Sequence, residues 1–308
     1  MKRKSFKEAC SLWEAERAKV VKPTSMAAYS LVIRNHLAPN FEWLDEVSPE
    51  SVQALADKEL DSGHGVTTVR GIILVMKMIV RYCEKQGWMP VRIYDISLPK
   101  NRKKPNHQVL AVEDEKCLLT WLASHRTLRN IGLMICLCCG LRIGEVCALK
   151  WGDVDFRHSV IHVRWTLHRV YLSDRKPYKS ELTIGIPKTD ESVREVPLTG
   201  ILAEQLSLTR QETRPSEEIF ILSGKKKPLD PQTFRNHFKE VSQALGFPPR
   251  KIHSLRHTFA TRCVESKCDL KTLSSLLGHA DITTTMNLYV HPGLEQKRRC
   301  VEDMMKLF

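Results

Sequence analysis

One stretch of this sequence interrupts a pattern that is otherwise helical over long distances. Residues 96–110, ISLPKNRKKPNHQVL, contain two prolines, four lysines or arginines, and no regular spacing of apolar residues. Proline lacks the backbone donor that a helix or a central strand requires, so neither element is expected to pass through this stretch. We therefore predict a basic linker over residues 98–108 that joins a domain at residues 1–97 to a second domain at residues 109–308.

The domain before the linker is predicted to consist of four helices. Apolar residues recur at helical spacing in four segments, which begin with residues suited to a helix start, such as Pro23 and the pair Ser48 and Pro49. The last segment, VTTVRGIILVMKMIVRYCEKQGW, carries a long apolar stripe and is ended by Gly87. Four such helices predict a compact bundle.

The second domain combines helices with a short β region. Helical patterns stop at Gly140, resume at Leu141 and end again at Gly152. β-Branched and aromatic residues then dominate SVIHVRWTLHRVYL and LTIGIPKTDESVREVPL, and the second stretch has a polar turn between two short strands. Helical spacing returns from Leu229. The predicted fold class is therefore mainly α with one small antiparallel sheet, in two domains.

Net charge and hydropathy indicate which kinds of molecule this chain can bind. The chain of 308 residues has a formal net charge of +13 and an isoelectric point near 9.3, which favours a polyanion such as nucleic acid. No stretch approaches the roughly 18 consecutive apolar residues that span a bilayer, and the amino terminus lacks a signal-peptide core. We therefore expect a cytoplasmic protein without a membrane partner.

The ten cysteines predict neither disulfides nor a zinc finger. They are scattered within apolar helical patterns, as in CLCC at residues 136–139, and no second pair of cysteines or histidines follows at the spacing of a zinc site. Without a secretion signal, the expectation is buried free thiols.

Six polar side chains occupy positions from which they could meet around one phosphate group. Arg142 follows the helix break at Gly140 and lies on a new first turn, where free backbone amides favour anions. His253 and Arg256 are three residues apart and share a helical face. The remaining three are Lys188 in the polar turn, His279 at a helix end, and Tyr289.

The segments around these residues resemble the tyrosine recombinases, also called phage-type integrases. The matching segments are GLRIGEVCALKW, IPKTDESVREVPL, HSLRHTFAT, LLGHADITTT and LYVHP. They occur in the order found in that family, and the four-helix segment before the linker is similar to its SAM-like core-binding domain. One departure is the ten-residue step from His279 to Tyr289, where many members have nine, so the exact placement of the nucleophile stays open.

The resemblance implies that Arg142 and Arg256 hold the non-bridging oxygens of a DNA phosphodiester and that His279 hydrogen-bonds the same group. Guanidinium groups suit this role because their paired donors offset the charge that develops in the transition state. Glu145, one turn after Arg142, is placed to orient that guanidinium, with an ordinary surface carboxylate as the alternative.

The resemblance further implies that Tyr289 is the nucleophile and forms a covalent 3′-phosphotyrosine. A phenol has a pKa near 10 and needs a base at neutral pH; His253 is the candidate. Lys188 is the candidate general acid for the departing 5′-oxygen, with Lys176 and Lys179 as alternatives in the same region.

Such a site requires no cofactor and no metal. The sequence has no P-loop and no acidic cluster suited to magnesium. His253 and His257 share the spacing of zinc ligands on a helix, but Ser254 stands where a metalloprotease would carry its glutamate, so His257 is interpreted as a supporting or core residue.

The expected partners are duplex DNA and further copies of the chain. In this family the segment after the nucleophile docks on a neighbouring subunit, and residues 293–308 have the matching amphipathic pattern. We therefore expect a homotetramer on synapsed DNA sites with exchange of this tail, and an accessory DNA-bending or directionality protein is a partner that the resemblance leaves open.

Three functions compete on these grounds. The first is a site-specific recombinase that integrates, excises or inverts DNA. The second is a type IB-like topoisomerase, which uses the same chemistry without synapsis, and the third is a non-catalytic DNA-binding regulator. All six candidate residues are present, which favours an enzyme. Because the helical segment opens the sequence, a simple integrase or invertase is favoured over one with an added arm-binding domain.

Overall fold

A computed structural model describes residues 3–100, 109–171, 180–187, 190–289, 298, 301–302 and 304–306. The chain divides into two compact units. The first unit contains Met1–Asn106 with Arg169–Leu182, and the second contains His107–His168 with Thr183–Phe308.

The first unit contains the four helices that the sequence predicts. They are α1 (Phe6–Arg17), α2 (Pro23–Val32), α3 (Pro49–Asp61) and α4 (Val66–Lys85), and a short π-helical turn at Ile33–Leu37 continues α2. The start of α3 follows from local chemistry, because the Ser48 side chain accepts a hydrogen bond from the backbone N–H of Ser51 at 3.2 Å.

The core of the first unit is built on one face of α4. Val69, Ile72, Met76, Ile79 and Val80 repeat at helical spacing and are almost fully buried. Burial of each such side chain stabilises a fold by about 1.5–3 kcal/mol relative to exposure, so this stripe organises the unit.

The second unit packs its helices around α6. The helices are α5 (Val112–Ser124), α6 (Leu128–Cys139), α7 (Ile143–Ala148), α8 (Gly200–Thr213), α9 (Pro231–Ala244), α10 (His253–Glu265), α11 (Leu270–Leu277) and α12 (Ile282–Tyr289). Residues on nearly every side of α6 are buried, and it contacts α5, α7, α8, α9 and α10. A helix that is apolar all round is expected to lie at the centre of a domain.

The strands pair differently from the single sheet that the sequence predicts. The five strands are β1 (Val154–Asp155), β2 (Val160–Val163), β3 (Thr166–Tyr171), β4 (Ser180–Gly185) and β5 (Arg194–Pro197). They form an antiparallel sheet in the order β1-β2-β5 and a separate β3-β4 pair. The two strands that flank Lys188 are therefore not a hairpin with each other.

The burial pattern explains this pairing. β5 alternates buried and exposed residues and joins β2, where Ile161 and Val163 are buried. None of the residues of β4 is buried, so this strand cannot occupy a place in the core-facing sheet.

Helix α7 is shorter than the predicted helix over residues 141–152. Leu149 is extended, and the backbone of Trp151 then donates to the carbonyl of Ile219 at 3.0 Å. The chain thus leaves the helix to pair with a distant loop, which propensity alone does not reveal.

Two further expectations can be compared with the described part of the chain. All nine of its cysteines are free, as predicted, but only five are buried, and Cys117 is exposed. No described helix is both long enough and apolar enough to cross a membrane.

Candidate active site

The first candidate residue owes its position to a forced helix end. Gly140 has a φ of +63°, in the left-handed region, and ends α6. A Cβ at this residue would lie 2.4 Å from Cδ1 of Phe259, so there is no space for a side chain. The chain then turns, and Arg142 becomes the residue that caps the start of α7.

A buried carboxylate orients the Arg142 side chain. Glu145 is 2% exposed and accepts hydrogen bonds from the backbone N–H and Nη1 of Arg142, both at 2.8 Å. The Nη2 of Arg142 donates to the carbonyl of Gly278, also at 2.8 Å. Two fixed acceptors therefore hold a guanidinium whose side chain is still 35% exposed.

Glu145 is shared with a second arginine. Arg194 donates Nη2 to Oε2 of Glu145 at 3.0 Å and Nη1 to Oε1 at 3.2 Å. Burial raises the pKa of Glu145, but the guanidinium groups of Arg194 and Arg142 outweigh burial and lower it. The carboxylate therefore stays ionised and keeps both arginines in place.

Arg256 links three parts of the second unit. It lies on α10 and is only 2% exposed. Nη1 donates to the carbonyl of Gly140, and Nη2 donates to the carbonyl of Leu277, both at 2.7 Å. The Nη2 atom also lies 3.0 Å from Nε2 of His279. The ends of α6 and α11 thus meet at one guanidinium.

The contacts of His279 determine its protonation state. An arginine can only donate, so Nε2 of His279 must be the acceptor from Arg256, and the ring proton lies on Nδ1, which is 2.8 Å from Oγ1 of Thr285. Partial burial, followed by the charges of Arg256 and Arg142, lowers the pKa of His279 to about 4. The imidazole is neutral at pH 7.

His253 is the first residue of α10 and is exposed. Its ring packs edge-on against that of His257, with centroids 4.6 Å apart, and it is close enough to His279 to lower the pKa of that group. The structure therefore brings Arg142, Arg256 and His279 into direct or shared contact and places His253 beside them.

His257 is largely buried. Among the described residues, no group of three or more His, Cys, Asp or Glu side chains is arranged to hold a metal ion.

Two of the six candidate residues cannot be placed in full. Tyr289 is the last residue of α12, which contacts α10 and α11, but its side chain lies outside the described part. Lys188 and its alternatives Lys176 and Lys179 also lie outside the described residues. Their roles stay predictions.

An open cleft lies where these groups meet. Its walls come from α7, the start of β3, the segment before β5 and the α11–α12 turn. The lining residues are Arg142, Glu145, Thr166, His168, Pro187, Ser192, Gly278, His279, Ala280, Asp281 and Thr284. The cleft can admit a tetrahedral anion that reaches the guanidinium of Arg142 and the ring of His279.

Sequence reasoning missed two residues at this cleft. His168 lines it from β3, and Arg194 lies behind it on β5 with Glu145. The sequence REVP contains a signal for Arg194. Alternate residues of a strand point to the same face, so this charged residue lies on the inward face together with Val196.

A second, basic cleft adjoins His253. It runs along an exposed face of α9 and the loop before α10, and its lining combines the apolar residues Ile143, Phe247, Pro249 and Ile252 with polar and cationic side chains. They include Gln232, Arg235, Asn236, Lys239, Arg250, Lys251 and His253. Such a surface suits a polyanion that extends beyond a single phosphate.

Comparisons with known proteins agree with this geometry. The sequence profile of the phage integrase family matches residues 108–295. A "Tyrosine recombinase XerC-like" protein of Caldanaerobacter subterraneus subsp. tengcongensis is 26% identical over 93% of this chain and 79% of that protein. The "Transposase from transposon Tn916" of Enterococcus faecalis is 24% identical over 92% of this chain and 73% of that protein.

Solved structures share the fold. The Tn1549 transposon integrase, bound to transposon right end DNA, has a TM-score of 0.79 at 20% identity and covers 98% of this chain and 100% of that one. A lambda integrase dimer bound to a core site has a TM-score of 0.67 at 16% identity and covers 95% of this chain and 81% of that one. Since the matched family profile spans more than half of the sequence, the chain belongs to the phage integrase family, the tyrosine recombinases.

Proposed function

We propose that this chain is a site-specific recombinase that cleaves and rejoins duplex DNA through a covalent 3′-phosphotyrosine intermediate. The observation that carries the proposal is that Arg142 and His279 line one cleft, with Arg256 bonded to His279 behind it, in a member of the tyrosine recombinase family. This arrangement concentrates hydrogen-bond donors and positive charge where a scissile phosphate would bind.

The arginines would stabilise the transition state. In-line attack adds negative charge to the phosphate oxygens, and charge-assisted donors that are already in position lower its free energy. Arg142 is held by Glu145 and Gly278 before DNA arrives. Arg256 is held by two carbonyls. Little reorganisation is therefore required when the phosphate binds.

His279 would become a donor only when DNA is present. Without an anion its Nε2 accepts from Arg256, so it carries no proton that could bind a phosphate. An anionic phosphate between Arg142 and His279 would favour the imidazolium, or the tautomer with the proton on Nε2. The ring then donates to a non-bridging oxygen.

The nucleophilic step uses residues whose roles stay predictions. The phenol oxygen of Tyr289 attacks phosphorus while its proton passes to His253. The bond to the 5′-oxygen breaks, and that oxygen takes a proton from Lys188. Rejoining reverses these steps with a new 5′-hydroxyl as the nucleophile, so the energy of the phosphodiester is conserved in the intermediate and no cofactor is required.

The basic cleft along α9 would bind the DNA flanking the scissile phosphate. Arg235, Lys239, Arg250 and Lys251 line it, and His253 belongs to its wall. Each phosphate contact that releases a counterion steepens the salt dependence of binding. Residues 1–97 are proposed as a second DNA-binding domain, joined through the linker at 98–108, and the cytoplasmic location stays a prediction.

We also propose that the chain acts as a homotetramer in which the tail at 293–308 docks on a neighbouring subunit. Val301, Met304 and Met305 are exposed in the described part of this tail, and exposed apolar side chains on a helix favour a partner surface. A solved lambda integrase is a tetramer bound to a Holliday junction. An accessory DNA-bending or directionality protein remains compatible with this assembly.

The alternatives receive no support from the comparisons, because the curated relatives are described as recombinases and transposases. A native gel of the protein with its DNA site distinguishes a recombinase from a topoisomerase. A recombinase is expected to bring two DNA sites into one complex, whereas a topoisomerase would relax supercoiled DNA without one.

The decisive experiment is incubation with a nicked suicide duplex that carries the recombination site from the DNA flanking the gene. The wild-type chain should form a covalent adduct, and Tyr289→Phe should form none. Tyr29→Phe is a matched control in the first unit and should retain the adduct. An adduct that persists in Tyr289→Phe would overturn the assignment of the nucleophile, and the absence of any wild-type adduct would overturn the function.

A further inference from the structure

Arg194 is a buried arginine that the proposed chemistry does not use. It begins β5, and its side chain is 5% exposed. Removing a guanidinium from water is unfavourable unless nearly all of its donors are satisfied. Its partners therefore indicate what the side chain holds in place.

The donors of Arg194 reach three separate segments. The paired Nη atoms bind both oxygens of Glu145 at 3.0 and 3.2 Å. Nε donates to the carbonyl of Leu276 at 2.6 Å. Nη1 also donates to the carbonyl of Ser192 at 3.1 Å. One planar group thus joins the start of α7, the end of α11 and the segment before β5.

The same guanidinium packs against the turn that carries His279. A Cβ added to Gly278 would lie 3.0 Å from Nη1 and 3.2 Å from Cδ of Arg194. The backbone of Gly278 also accepts from Nη2 of Arg142. Arg194 therefore holds this turn in two ways. It packs directly against Gly278. It also binds Glu145, which orients the Arg142 side chain that bonds to the Gly278 carbonyl.

We propose that Arg194 is a positioning residue for strand cleavage: by clamping both Glu145 oxygens and the Leu276–Gly278 turn, it aligns Arg142 and His279 on one phosphate. Two donors to one carboxylate fix the plane of that group as well as its distance. The orientation of Glu145 in turn sets the direction in which Arg142 reaches. The inference rests on the proposed recombinase function.

A residue that only supports the fold would behave differently. Its loss would lower the folded fraction or the melting temperature, and the molecules that remain folded would cleave DNA at the normal rate. A positioning residue, when lost, slows the chemical step in folded protein that still binds DNA normally.

The test compares Arg194→Met with Arg262→Met. Methionine keeps much of the side-chain length and removes every donor. Arg262 is a matched control because it lies in the same unit and binds Glu115, Glu265 and the carbonyl of Leu110, none of which contacts the cleft. Single-turnover adduct formation on the suicide duplex is measured at saturating protein, with duplex affinity and thermal unfolding measured separately.

Arg194→Met should form adduct about 100-fold more slowly than wild type, the scale expected when a reacting group is displaced by about an ångström. Its affinity for the duplex should stay within about twofold, and Arg262→Met should cleave within about twofold of wild type, even though it also melts earlier.

A substrate with a methylphosphonate at the scissile position supplies the specific readout. This group lacks the anionic non-bridging oxygen, so charge stabilisation by Arg142 matters less. The defect of Arg194→Met should therefore shrink to about tenfold or less on this substrate, in parallel with that of Arg142→Ala. An equal defect on both substrates, or a normal rate on the phosphodiester, would overturn the proposal.

Arg194→Lys keeps the test decisive if Arg194→Met does not fold. Lysine retains the charge but lacks the planar pair of donors, so we expect about a tenfold slower phosphodiester cleavage and a smaller defect on the methylphosphonate. Full activity of this variant would contradict positioning by the guanidinium plane. Failure of the wild-type chain to form any adduct would instead reject the recombinase function itself.

Discussion

Each unit of the molecule buries one carboxylate between two basic side chains, and the two clusters differ in the type of base. In the first unit Glu59, 7% exposed, lies 3.0 Å from Nδ1 of His36 and 2.9 Å from Nδ1 of His64. In the second unit Glu145 binds Arg142 and Arg194. An imidazole can present one N–H to a carboxylate, whereas a guanidinium presents two in a fixed plane.

Because of this difference, the histidine cluster supports the fold alone, whereas the arginine cluster can also orient a side chain for catalysis. The histidines of the first cluster pack edge-on, with centroids 5.4 Å apart, and connect the π-helical turn, α3 and the loop before α4. The arginines are always charged and hold each other through Glu145. Both clusters stabilise a unit, but only the second also aims a side chain, Arg142, into a cleft.

The largest difference between the clusters should appear when the carboxylates are removed. Glu145→Ala leaves two guanidinium groups without their counter-ion, one of them buried, and should lower the free energy of unfolding by about 3–5 kcal/mol. Urea denaturation measures this loss. Glu145→Gln is the control that keeps the shape and an acceptor, and it should lose less. A loss below about 1 kcal/mol for Glu145→Ala would show that the arginines do not depend on their carboxylate.

The corresponding change in the first unit should be milder. Glu59→Ala removes the carboxylate that His36 and His64 contact, but His64 keeps the backbone carbonyl of residue 59 as a partner, so we expect a loss of about 1–3 kcal/mol in the same denaturation experiment. Cleavage per folded molecule should not change. The comparison fails if Glu59→Ala abolishes cleavage while the protein remains folded.

A smaller effect is expected where Arg194 touches the backbone. Gly278 has a φ of +61°, and alanine is disfavoured in this region by about 1–2 kcal/mol. Gly278→Ala should therefore shift the urea midpoint downward and also slow cleavage, because the new Cβ approaches Arg194. Gly246→Ala, also at positive φ but without a neighbour within 4 Å, is the control. It should lose stability and keep the cleavage rate.

A further test varies pH and sharpens the contrast between arginine and histidine. The pKa of His279 is about 4 in the folded protein and near 6.5 in an unfolded chain. Folding therefore favours the neutral ring, so this contribution to stability is present above about pH 6.5 and is lost as pH falls toward 4. Urea midpoints between these limits should fall less steeply in His279→Gln than in wild type, and an unchanged slope would contradict the lowered pKa.

Glu145 should not contribute to the pH dependence of stability above about pH 4.5. Its pKa is lowered from the ordinary glutamate value, so the stability that it supplies is lost only as pH falls below about 4.5. The arginine cluster therefore keeps its charge while His279 titrates.

Several features of the site could be predicted because local sequence marks them. Gly140 and Gly278 mark two helix ends, and Arg142 and His279 lie beside them. The three-residue spacing of His253 and Arg256 places both on one helical turn. The four helices of the first unit are likewise marked by caps and apolar periodicity.

Other features depend on distant contacts. β4 pairs with β3 and not with β5, because the partner of a strand is chosen by burial across the whole fold. The burial of Arg194 is equally nonlocal, since its charge is acceptable only where Glu145 and the carbonyl of Leu276 meet it. Sequence reasoning therefore located Arg142, Glu145 and His279 at the cleft, and it missed His168 on the wall and Arg194 behind it.

The crowding at Gly140 has a consequence for the engineering of this enzyme. Its carbonyl binds Arg256 at 2.7 Å, and its Cα faces the ring of Phe259. A saturation library at codon 140 should thus return only glycine after selection for recombination, unless Phe259 is randomised together with it and a smaller residue makes space. Retargeting such an enzyme to new DNA sequences should leave this pair of codons untouched and place diversity elsewhere.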